Sequence, residues 1–291
     1  MTIINEILTK IDKIPVLSRS ASLLLDVISK EDHTIVDVKN IVENDSVLSI
    51  KVLTLINSAA YSLTSNTTSI EKAVSYLGDN VILNIALVSC DASKLFDQPL
   101  EGYECEGDIF WDHNIKTAIA AKYISRFALL ETDSSLVYTA GIIHDIGKSI
   151  ISTYLVNQTA EILKQLDSQS IHDYVEAEKN IIGTDHCEVG YNIGKHWNLP
   201  EVFLQVNRWH HEPENCPKDH ISICYIIHLA DIIAMLGGSG TGSDSLKHRL
   251  DNNYEKYIEL PKEEFDKLFF RIDNEFEKLK SAREEQQLAK A

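Results

Sequence analysis

No run of apolar residues in this sequence is long enough to cross a membrane. A membrane-spanning helix needs about 20 mostly apolar residues, and no stretch of even about 18 occurs in the chain. The N-terminal segment MTIINEILTKIDKIP carries Glu6 and Asp12 where a signal peptide would have its apolar region. The sequence therefore predicts a protein without membrane segments that resides in the cytoplasm.

Paired cysteines and clusters of basic residues are missing as well. The chain has five cysteines, an odd number, and none of them forms a CxxC pair, which argues against a disulfide framework or a thiolate zinc site. The formal net charge is −17, from 27 Lys+Arg against 44 Asp+Glu, and an acidic surface repels phosphate backbones. We therefore expect reduced thiols and no direct contact with nucleic acid.

Strand-like alternation is almost absent, whereas helical periodicity is found throughout the chain. In VLSIKVLTLI the apolar residues recur at spacings of three and four, which is typical of a helix buried on a broad face. Asp45 precedes this segment at the position of a helix cap, and Ser69 and Gly78 bound the next helical segment as cap and stop. Because 44% of the 291 residues are hydrophobic, enough for a sizeable core, the pattern predicts an all-α fold.

Two changes of composition divide the chain. The segment FDQPLEGYECEGD is polar, acidic and contains glycine, and GGSGTGSDS has the composition of a flexible loop. We predict an N-terminal helical subdomain over residues 1–104, a second helical subdomain over 105–236, and a mobile loop with a C-terminal helix over 237–291. Within the second subdomain, helices are expected from about 110 to 130 and from 137 to about 166. The apolar stripe of the C-terminal helix predicts packing on the body or, alternatively, contact with a partner.

Histidines and aspartates recur where side chains that face the interior are expected. His210 continues the apolar face of LPEVFLQVNRWHH, and Asp231 follows Cys224 and Ile227 at spacings of three and four. A buried unpaired carboxylate is costly, and a metal ion compensates for it when imidazoles lie nearby. Imidazole and carboxylate ligands suit one or two divalent ions of iron, manganese, nickel or zinc. The candidate ligands are His113, His144, Asp145, His186, His210, His211 and Asp231.

In this order, the residues resemble the ligand series of the HD superfamily of metal-dependent phosphohydrolases. More closely, the chain resembles the HDOD domain of bacterial signalling proteins, over roughly residues 10–236. The matching segments are IPVLSRSASLLLDVIS, NDSVLSIKVLTLINSAAYSL, SIEKAVSYLGDNVI, FWDHNIKTA, AGIIHDIGK, EKNIIGTDHCEVGYNIGKHWNLP and WHHEP. The resemblance implies an all-helical fold with an N-terminal helical half and an HD-like half, and iron is the first metal to expect.

Two departures from the family patterns bear on activity. Many HDOD members have lost several of these ligands, whereas here every position of the series is filled, which favours metal binding and keeps hydrolysis open. The related HD-GYP enzymes, which open cyclic di-GMP, carry a GYP signature after their HHE, but this chain has HHEPENCPKDH. The resemblance therefore does not favour that particular reaction.

Three further residues have alternative interpretations. The HDxGK pattern of the superfamily implies that Lys148 neutralises a substrate phosphate, and the alternative is a solvated lysine near a helix turn. Glu178 is a further ligand, an acceptor that orients His186, or a solvated carboxylate. His228, three residues before Asp231, is the remaining histidine best placed to compete as a ligand. The histidines whose spacing indicates no metal are His33, His172, His196, His220 and His248.

Two functions follow from these residues. One is a regulatory module of bacterial signal transduction that binds a protein partner or a small phosphorylated ligand, as a monomer or homodimer, with a structural or sensory metal. The other is a phosphohydrolase for a nucleotide or other phosphoester, with Asp145 and Lys148 as catalytic residues. The family resemblance favours the first function, and the complete ligand set favours the second.

Overall fold

The computed structural model describes residues 2–30, 32–58, 61, 67–89, 92 and 94–288, excluding the side chains of residues 97 and 282–288. Residues 59–60 and 62–63, which belong to one of the segments that carry the resemblance, lie outside this range. Within the described residues the secondary structure is helical, and extended pairing is limited to the isolated bridges Leu100–Cys105 and Ala128–Ile258. The predicted all-α fold is confirmed. No helix among these residues is long and apolar enough to cross a membrane.

The N-terminal half is a set of short helices with the predicted caps. Asp45 accepts a hydrogen bond from the backbone N–H of Leu48, and Ser69 accepts one from that of Lys72. Gly78, predicted as a helix stop, has the non-helical angles φ 75° and ψ 166°, so the first helical segment does end there and a second one follows directly across a kink. The helices are α1 (Ile3–Ile11), α2 (Arg19–Ile28), α3 (Ile35–Glu43), α4 (Ser46–Ile56) and α5 (Ile70–Leu87).

The second half contains more helices than the periodicity predicts. The single helix expected from 137 to about 166 is three helices, because the chain turns over residues 144–147 and again over 156–158, where Asn157 has a φ of 70°. The helix expected from about 110 to 130 ends at Ile124 and continues as a 3-10 turn at 125–127. The helices are α6 (Lys94–Asp97), α7 (Gly107–Ile124), α8 (Ser134–Ile143), α9 (Lys148–Leu155), α10 (Thr159–Asp167), α11 (Tyr174–Ile182), α12 (His186–His196), α13 (Glu201–Trp209) and α14 (Ile221–Leu236).

One hydrophobic core runs through both halves. Helix α7 lies at its centre and packs against α8 and α14. Helices α2 and α5 of the N-terminal half contact α8, and α1 contacts α9 and α12. Residues on both sides of the predicted boundary at 104, such as Tyr103 and Cys105, are part of this core. The metal-ligand candidates lie on α7 and on the helices around it.

The C-terminal helix α15 (Lys262–Leu288) packs across α7. Its apolar stripe is buried at Leu268, Ile272 and Phe276, each 3% exposed. Beside the stripe, Lys116 lies 2.8 Å from Asp273. Of the two interpretations of this stripe, the structure shows packing on the body of the protein.

Candidate metal centre

The seven candidate ligands converge at one point in the fold. Their positions follow from helix packing around α7, which brings the α8–α9 turn, the start of α12 and the end of α13 to the same side. In chain order they are His113 on α7, His144 and Asp145 in the α8–α9 turn, His186 at the start of α12, His210 and His211 after α13, and Asp231 on α14.

These polar side chains are enclosed by the protein. His113, His144, His186 and His210 are 0% exposed, and Asp145 is 1% exposed. Asp231 is also buried. Because a buried polar group without a partner costs about 1–3 kcal/mol, and a charged group more, such a cluster requires compensation. Part of that compensation comes from within the cluster.

Asp145 is the bridge of the cluster. Its Oδ1 lies 3.4 Å from Nε2 of His186 and 3.4 Å from Nε2 of His210. Its Oδ2 lies 3.5 Å from Nε2 of His144 and 3.7 Å from Nε2 of His113. The two oxygens of one carboxylate therefore face two different groups of imidazoles.

Asp231 completes the group around His113 and His144. Its Oδ1 lies 3.1 Å from Nε2 of His113 and 3.8 Å from Nε2 of His144. The apolar spacing of α14 predicts that Asp231 faces the interior, and the structure places it there. Two carboxylates and two imidazoles thus share this side of the centre.

Hydrogen bonds at Nδ1 fix the orientation of the rings. Nδ1 of His113 lies 2.6 Å from the carbonyl of Ser239, Nδ1 of His144 lies 2.8 Å from that of Gly141, and Nδ1 of His210 lies 3.1 Å from that of Val206. A carbonyl only accepts, so each Nδ1 carries the proton and each Nε2 presents its lone pair to the cluster. This arrangement is typical of metal-ligating histidines.

Glu178 orients His186. Its Oε2 accepts hydrogen bonds from Nδ1 of His186 at 2.8 Å and from the backbone N–H of His186 at 2.9 Å. Its Oε1 accepts the hydroxyl of Tyr103 at 2.5 Å. Glu178 is 0% exposed. Of the alternatives open for this residue, the structure supports the acceptor that orients His186 and contradicts the solvated carboxylate.

The inward-facing atoms have the properties of metal ligands. Nε2 of His113, His144 and His210 and Oδ1 of Asp145 are buried and have no hydrogen-bond partner within the described part of the chain. Two ligands that each lie about 2.1 Å from one ion are about 3.0–3.5 Å from each other, close to the separations of 3.1–3.8 Å observed here. The residues present therefore fit a divalent transition metal ion.

The charge environment differs between the rings. Burial lowers the pKa of His210 to about 4, and burial together with His248 and His210 lowers the pKa of His211 well below its usual range. For His113, burial opposes protonation, but Asp231 outweighs it and raises the pKa. His210 and His211 are thus neutral, which is the metal-binding form, whereas protons compete with metal at His113.

Lys148 is buried rather than solvated. It is 2% exposed, and its Nζ lies 2.6 Å from Oδ2 of Asp145, 2.7 Å from Oδ2 of Asp244 and 3.1 Å from Oγ1 of Thr241. Burial by itself would lower the pKa of Lys148, but the charges of Asp145 and Asp244 raise it well above its usual range. Contact with a substrate phosphate would require this network to open.

His211 belongs to the cluster and brings a residue with it that the spacing did not indicate. Its ring centroid lies 4.2 Å from that of His210 and 5.0 Å from that of His186. On its other side it stacks on His248, with centroids 3.9 Å apart and planes 17° apart. Both ring nitrogens of His211 are buried without a hydrogen-bond partner among the described residues. His211 therefore contributes a free imidazole to the centre.

His228 has a structural role. Its Nδ1 lies 2.8 Å from the carbonyl of His210, and its Nε2 accepts the backbone N–H of Asp251 at 2.9 Å. Because both ring nitrogens are in use, His228 does not compete as a ligand. It ties α14 to the end of α13 and to the chain that follows α14.

The segment 237–245, whose composition predicts a flexible loop, lies against the centre. Ser239 accepts from His113, and Thr241 and Asp244 hold Lys148. Gly242 has φ 99°, and a Cβ there would lie 2.0 Å from the carbonyl of Tyr103, so only glycine allows this approach. Sequence reasoning missed Asp244 because an aspartate among Gly and Ser residues is usually a solvated loop residue.

A sequence profile and one relative link this chain to known proteins. The profile of the HDOD domain matches residues 14–213. An uncharacterized protein of Treponema pallidum (strain Nichols) is 22% identical over 214 residues, which are 72% of this chain and 40% of that protein. The chain thus spans less than half the length of this relative.

Three solved structures resemble the fold. An HDOD domain protein with unknown function from Geobacter sulfurreducens is 24% identical, with a TM-score of 0.64 over 99% of this chain and 94% of that chain. A Marinobacter aquaeolei VT8 protein, provisionally named a signal transduction protein, is 17% identical, with a TM-score of 0.71 over 93% of this chain and 59% of that chain. A Shewanella amazonensis SB2B protein, provisionally named a metal-dependent phosphohydrolase, is 18% identical, with a TM-score of 0.52 over 92% of both chains.

At these identities the structural likeness establishes a shared fold. The matched residues 14–213 contain every candidate ligand except Asp231. The profile extends over well more than half of the sequence. This chain therefore belongs to the HDOD family.

Proposed function

We propose that this protein is a regulatory HDOD module of bacterial signal transduction that holds one or two divalent transition metal ions, iron first among them, in its buried His/Asp centre. The observation that carries the proposal is the convergence of buried ligand atoms without hydrogen-bond partners around Asp145. Nickel, manganese and zinc suit the same ligand set. The name of the Marinobacter relative supports a role in signalling.

Enclosure of the centre favours a structural or sensory metal. The four imidazoles that face Asp145 are 0% exposed, and Lys148 is 2% exposed. Ser239, Thr241 and Asp244 of the loop contact His113 and Lys148 directly. A substrate the size of a nucleotide has no place at these atoms unless the loop moves.

Hydrolysis of a phosphoester is the second candidate function. The complete ligand series favours it, and the name of the Shewanella relative agrees with it. A bound divalent ion supplies Lewis-acid polarisation of a phosphoryl oxygen. In such a site Asp145 orients the ligand set, and Lys148 neutralises the phosphate once it is released from Asp244.

Elemental analysis of the purified full chain tests the metal centre. The protein is prepared without chelator and without a histidine tag, as wild type, Asp145→Ala and Asp145→Asn. We expect one or two equivalents of metal in the wild type and a loss of most of it in both variants, since Asp145 faces both groups of imidazoles. Unchanged metal content in both variants would refute the assignment.

Asp112→Asn provides the matched control. Asp112 precedes His113 on α7, but its carboxylate lies 3.3 Å from Lys280 of α15, away from the centre. This variant should keep its metal. A phosphodiesterase screen on the same proteins separates the two functions, because activity present in the wild type and lost in Asp145→Asn would favour the hydrolase.

We further infer that the module acts in the cytoplasm through a protein partner or a small phosphorylated ligand, as a monomer or homodimer. The net charge of −17 disfavours nucleic acid as that partner. The helical surface, rather than the enclosed centre, offers the contact area.

A further inference from the structure

Cys187 lies at the edge of the metal centre. It follows His186 at the start of α12 and is 3% exposed. Its Sγ lies 3.5 Å from Nε2 of His186 and 4.0 Å from Nδ1 of His210. Unpaired cysteines along the sequence argue against a thiolate site, but the fold places this sulfur among imidazoles.

The centre contains two groups of ligands with different chemistry. Ligand atoms of His186, Cys187, His210 and His211 all lie within 4.8 Å of one another. The other group consists of His113, His144 and Asp145, and Asp231 lies beside it. The group of His113, His144, Asp145 and Asp231 therefore offers nitrogen and oxygen ligands. The group of His186, Cys187, His210 and His211 combines imidazole nitrogens with a softer sulfur ligand.

We propose that Cys187 is a metal ligand and that, with His186, His210 and His211, it forms a thiolate-containing compartment for zinc or another borderline-soft ion. The proposal rests on the proposed function, in that metal occupies the centre. On binding, the thiol loses its proton to solvent and the sulfur takes one coordination position as thiolate.

The geometry of the pair agrees with shared coordination. A nitrogen about 2.1 Å and a sulfur about 2.3 Å from one tetrahedral ion are about 3.6 Å apart, and the His186 Nε2 to Cys187 Sγ separation is 3.5 Å. Both ring nitrogens of His211 and Nε2 of His210 are buried without hydrogen-bond partners in the described part of the chain. His210 and His211 each have a ligand atom within 4.8 Å of those of His186 and Cys187.

The alternative is a thiol that only donates a weak hydrogen bond to His186. That role leaves the buried nitrogens of His211 unsatisfied. A compartment with three imidazoles and one thiolate, by contrast, supplies four protein ligands to one ion, which is the ligand number of closed tetrahedral zinc sites. It also agrees with the enclosure of the centre.

Cobalt(II) provides the test, because thiolate coordination to cobalt gives a charge-transfer absorption band in the near ultraviolet. The full-length protein is loaded with cobalt as wild type and as Cys187→Ser. We expect the band in the wild type and its loss in Cys187→Ser, with cobalt bound to this compartment at least about 10-fold more weakly. His211→Gln leaves the thiol intact and should weaken the band in the same way.

Cys216→Ser is the matched control for removal of a thiol. The Sγ atoms of Cys216 and Cys224 are buried and lie 3.0 Å from each other, and neither residue belongs to the two candidate metal groups found among the described residues. This variant should keep the band. Cys90 lies outside the described residues, and Cys90→Ser is the second control.

The outcomes separate this inference from the proposed function. Cobalt binding that depends on Asp145 but gives no near-ultraviolet band would overturn the thiolate site and leave the metal centre standing. A band that persists in Cys187→Ser would also overturn it. If the wild type bound no metal, both the metal centre and the thiolate site would be refuted.

Discussion

The Nζ atom of Lys148 lies 2.7 Å from Oδ2 of Asp244, and this buried ion pair joins the HD motif to a loop far along the chain. The same ammonium group lies 2.6 Å from Asp145. The charge of Lys148, despite the opposing effect of burial, lowers the pKa of Asp244 to about 2. One lysine is thus shared between a candidate metal ligand and the segment that covers it.

Replacing Asp244 should destabilise the protein strongly. Asp244→Ala removes one of two carboxylates that balance a buried ammonium group, and breaking such a pair costs about 3 kcal/mol or more. Urea unfolding at pH 7, monitored by circular dichroism, measures the change in the free energy of unfolding. Because the pKa of Asp244 is lowered in the folded protein, its contribution to the free energy of unfolding is present above about pH 4. This contribution is lost as the pH falls towards 2.

Asp167→Ala is the control for this prediction. Asp167 is 75% exposed and lies 3.7 Å from Lys247 of the same region, so its loss should cost less than about 1 kcal/mol. If Asp244→Ala and Asp167→Ala were equally stable, the buried pair of Lys148 and Asp244 would not stabilise the loop.

Glu178 should tune metal affinity without being a ligand. Glu178→Gln keeps the shape of the side chain but weakens the hydrogen bond that Oε2 of Glu178 accepts from Nδ1 of His186 at 2.8 Å. Loss of such an orienting carboxylate lowers metal affinity by about 10- to 100-fold. Competition with a chelator measures the affinity. Glu176→Gln is the control, because Glu176 on the same helix accepts the backbone N–H of exposed His172 at 2.8 Å, and this variant should leave the affinity unchanged.

Gly147 should tolerate no side chain. A Cβ at this position would lie 1.9 Å from the carbonyl of His186, so Gly147→Ala must displace α12 and its first residue. We expect a loss of about 3 kcal/mol in stability, together with a lower metal content. Gly78→Ala is the comparison, because a Cβ there meets no atom within 4 Å and only the φ of 75° opposes it. That variant should lose about 1–3 kcal/mol, because φ 75° with ψ 166° is a backbone conformation essentially restricted to glycine, and should keep its metal.

His33 should give the N-terminal half a pH-dependent contribution to stability. Burial of the ring opposes its charge, but the hydrogen bond to Asp79 at 2.9 Å outweighs this effect and raises the pKa of His33 above 6.5. The contribution is therefore complete below about pH 6.5 and is lost as the pH rises through the raised pKa. His33→Asn should be less stable than the wild type by about 0.5–1 kcal/mol at pH 5.5 and nearly equal to it at pH 8.5.

A double-variant cycle provides the check on this pair. Asp79→Asn should show the same dependence on pH, and the double variant should lose little more than either single one. Fully additive losses at pH 5.5 would show that the two side chains do not interact.

Helix content and the inward orientation of the candidate ligands could be predicted from the sequence, because both depend on local spacing. Asp231 was placed inward by the apolar spacing of α14, and its carboxylate does face His113. Helix ends were harder to predict. The long helix expected through the HD motif is interrupted over residues 144–147, and there Gly147 lies so close to the carbonyl of His186 that it leaves no room for a side chain.

The residues that sequence reasoning missed share one property, which is that their partners lie far away in the chain. Asp244 and His248 are in a polar segment without periodicity, and Cys187 has no neighbouring cysteine to mark it. Their roles arise from contacts with Lys148, His211 and His186. Spacing carries no information about such contacts.

By itself, the sequence determined that this protein is an assembly of helices with histidines and aspartates on interior faces, because a periodicity of 3.6 residues fixes which side chains turn inward. Tertiary structure alone decided which of those side chains meet. Asp145 reaches two groups of imidazoles, Lys148 is enclosed by a distant loop, and Cys187 enters the centre. These relationships depend on how helices pack against α7, since separations of 3 to 4 Å between remote residues are set by packing and not by spacing along the chain.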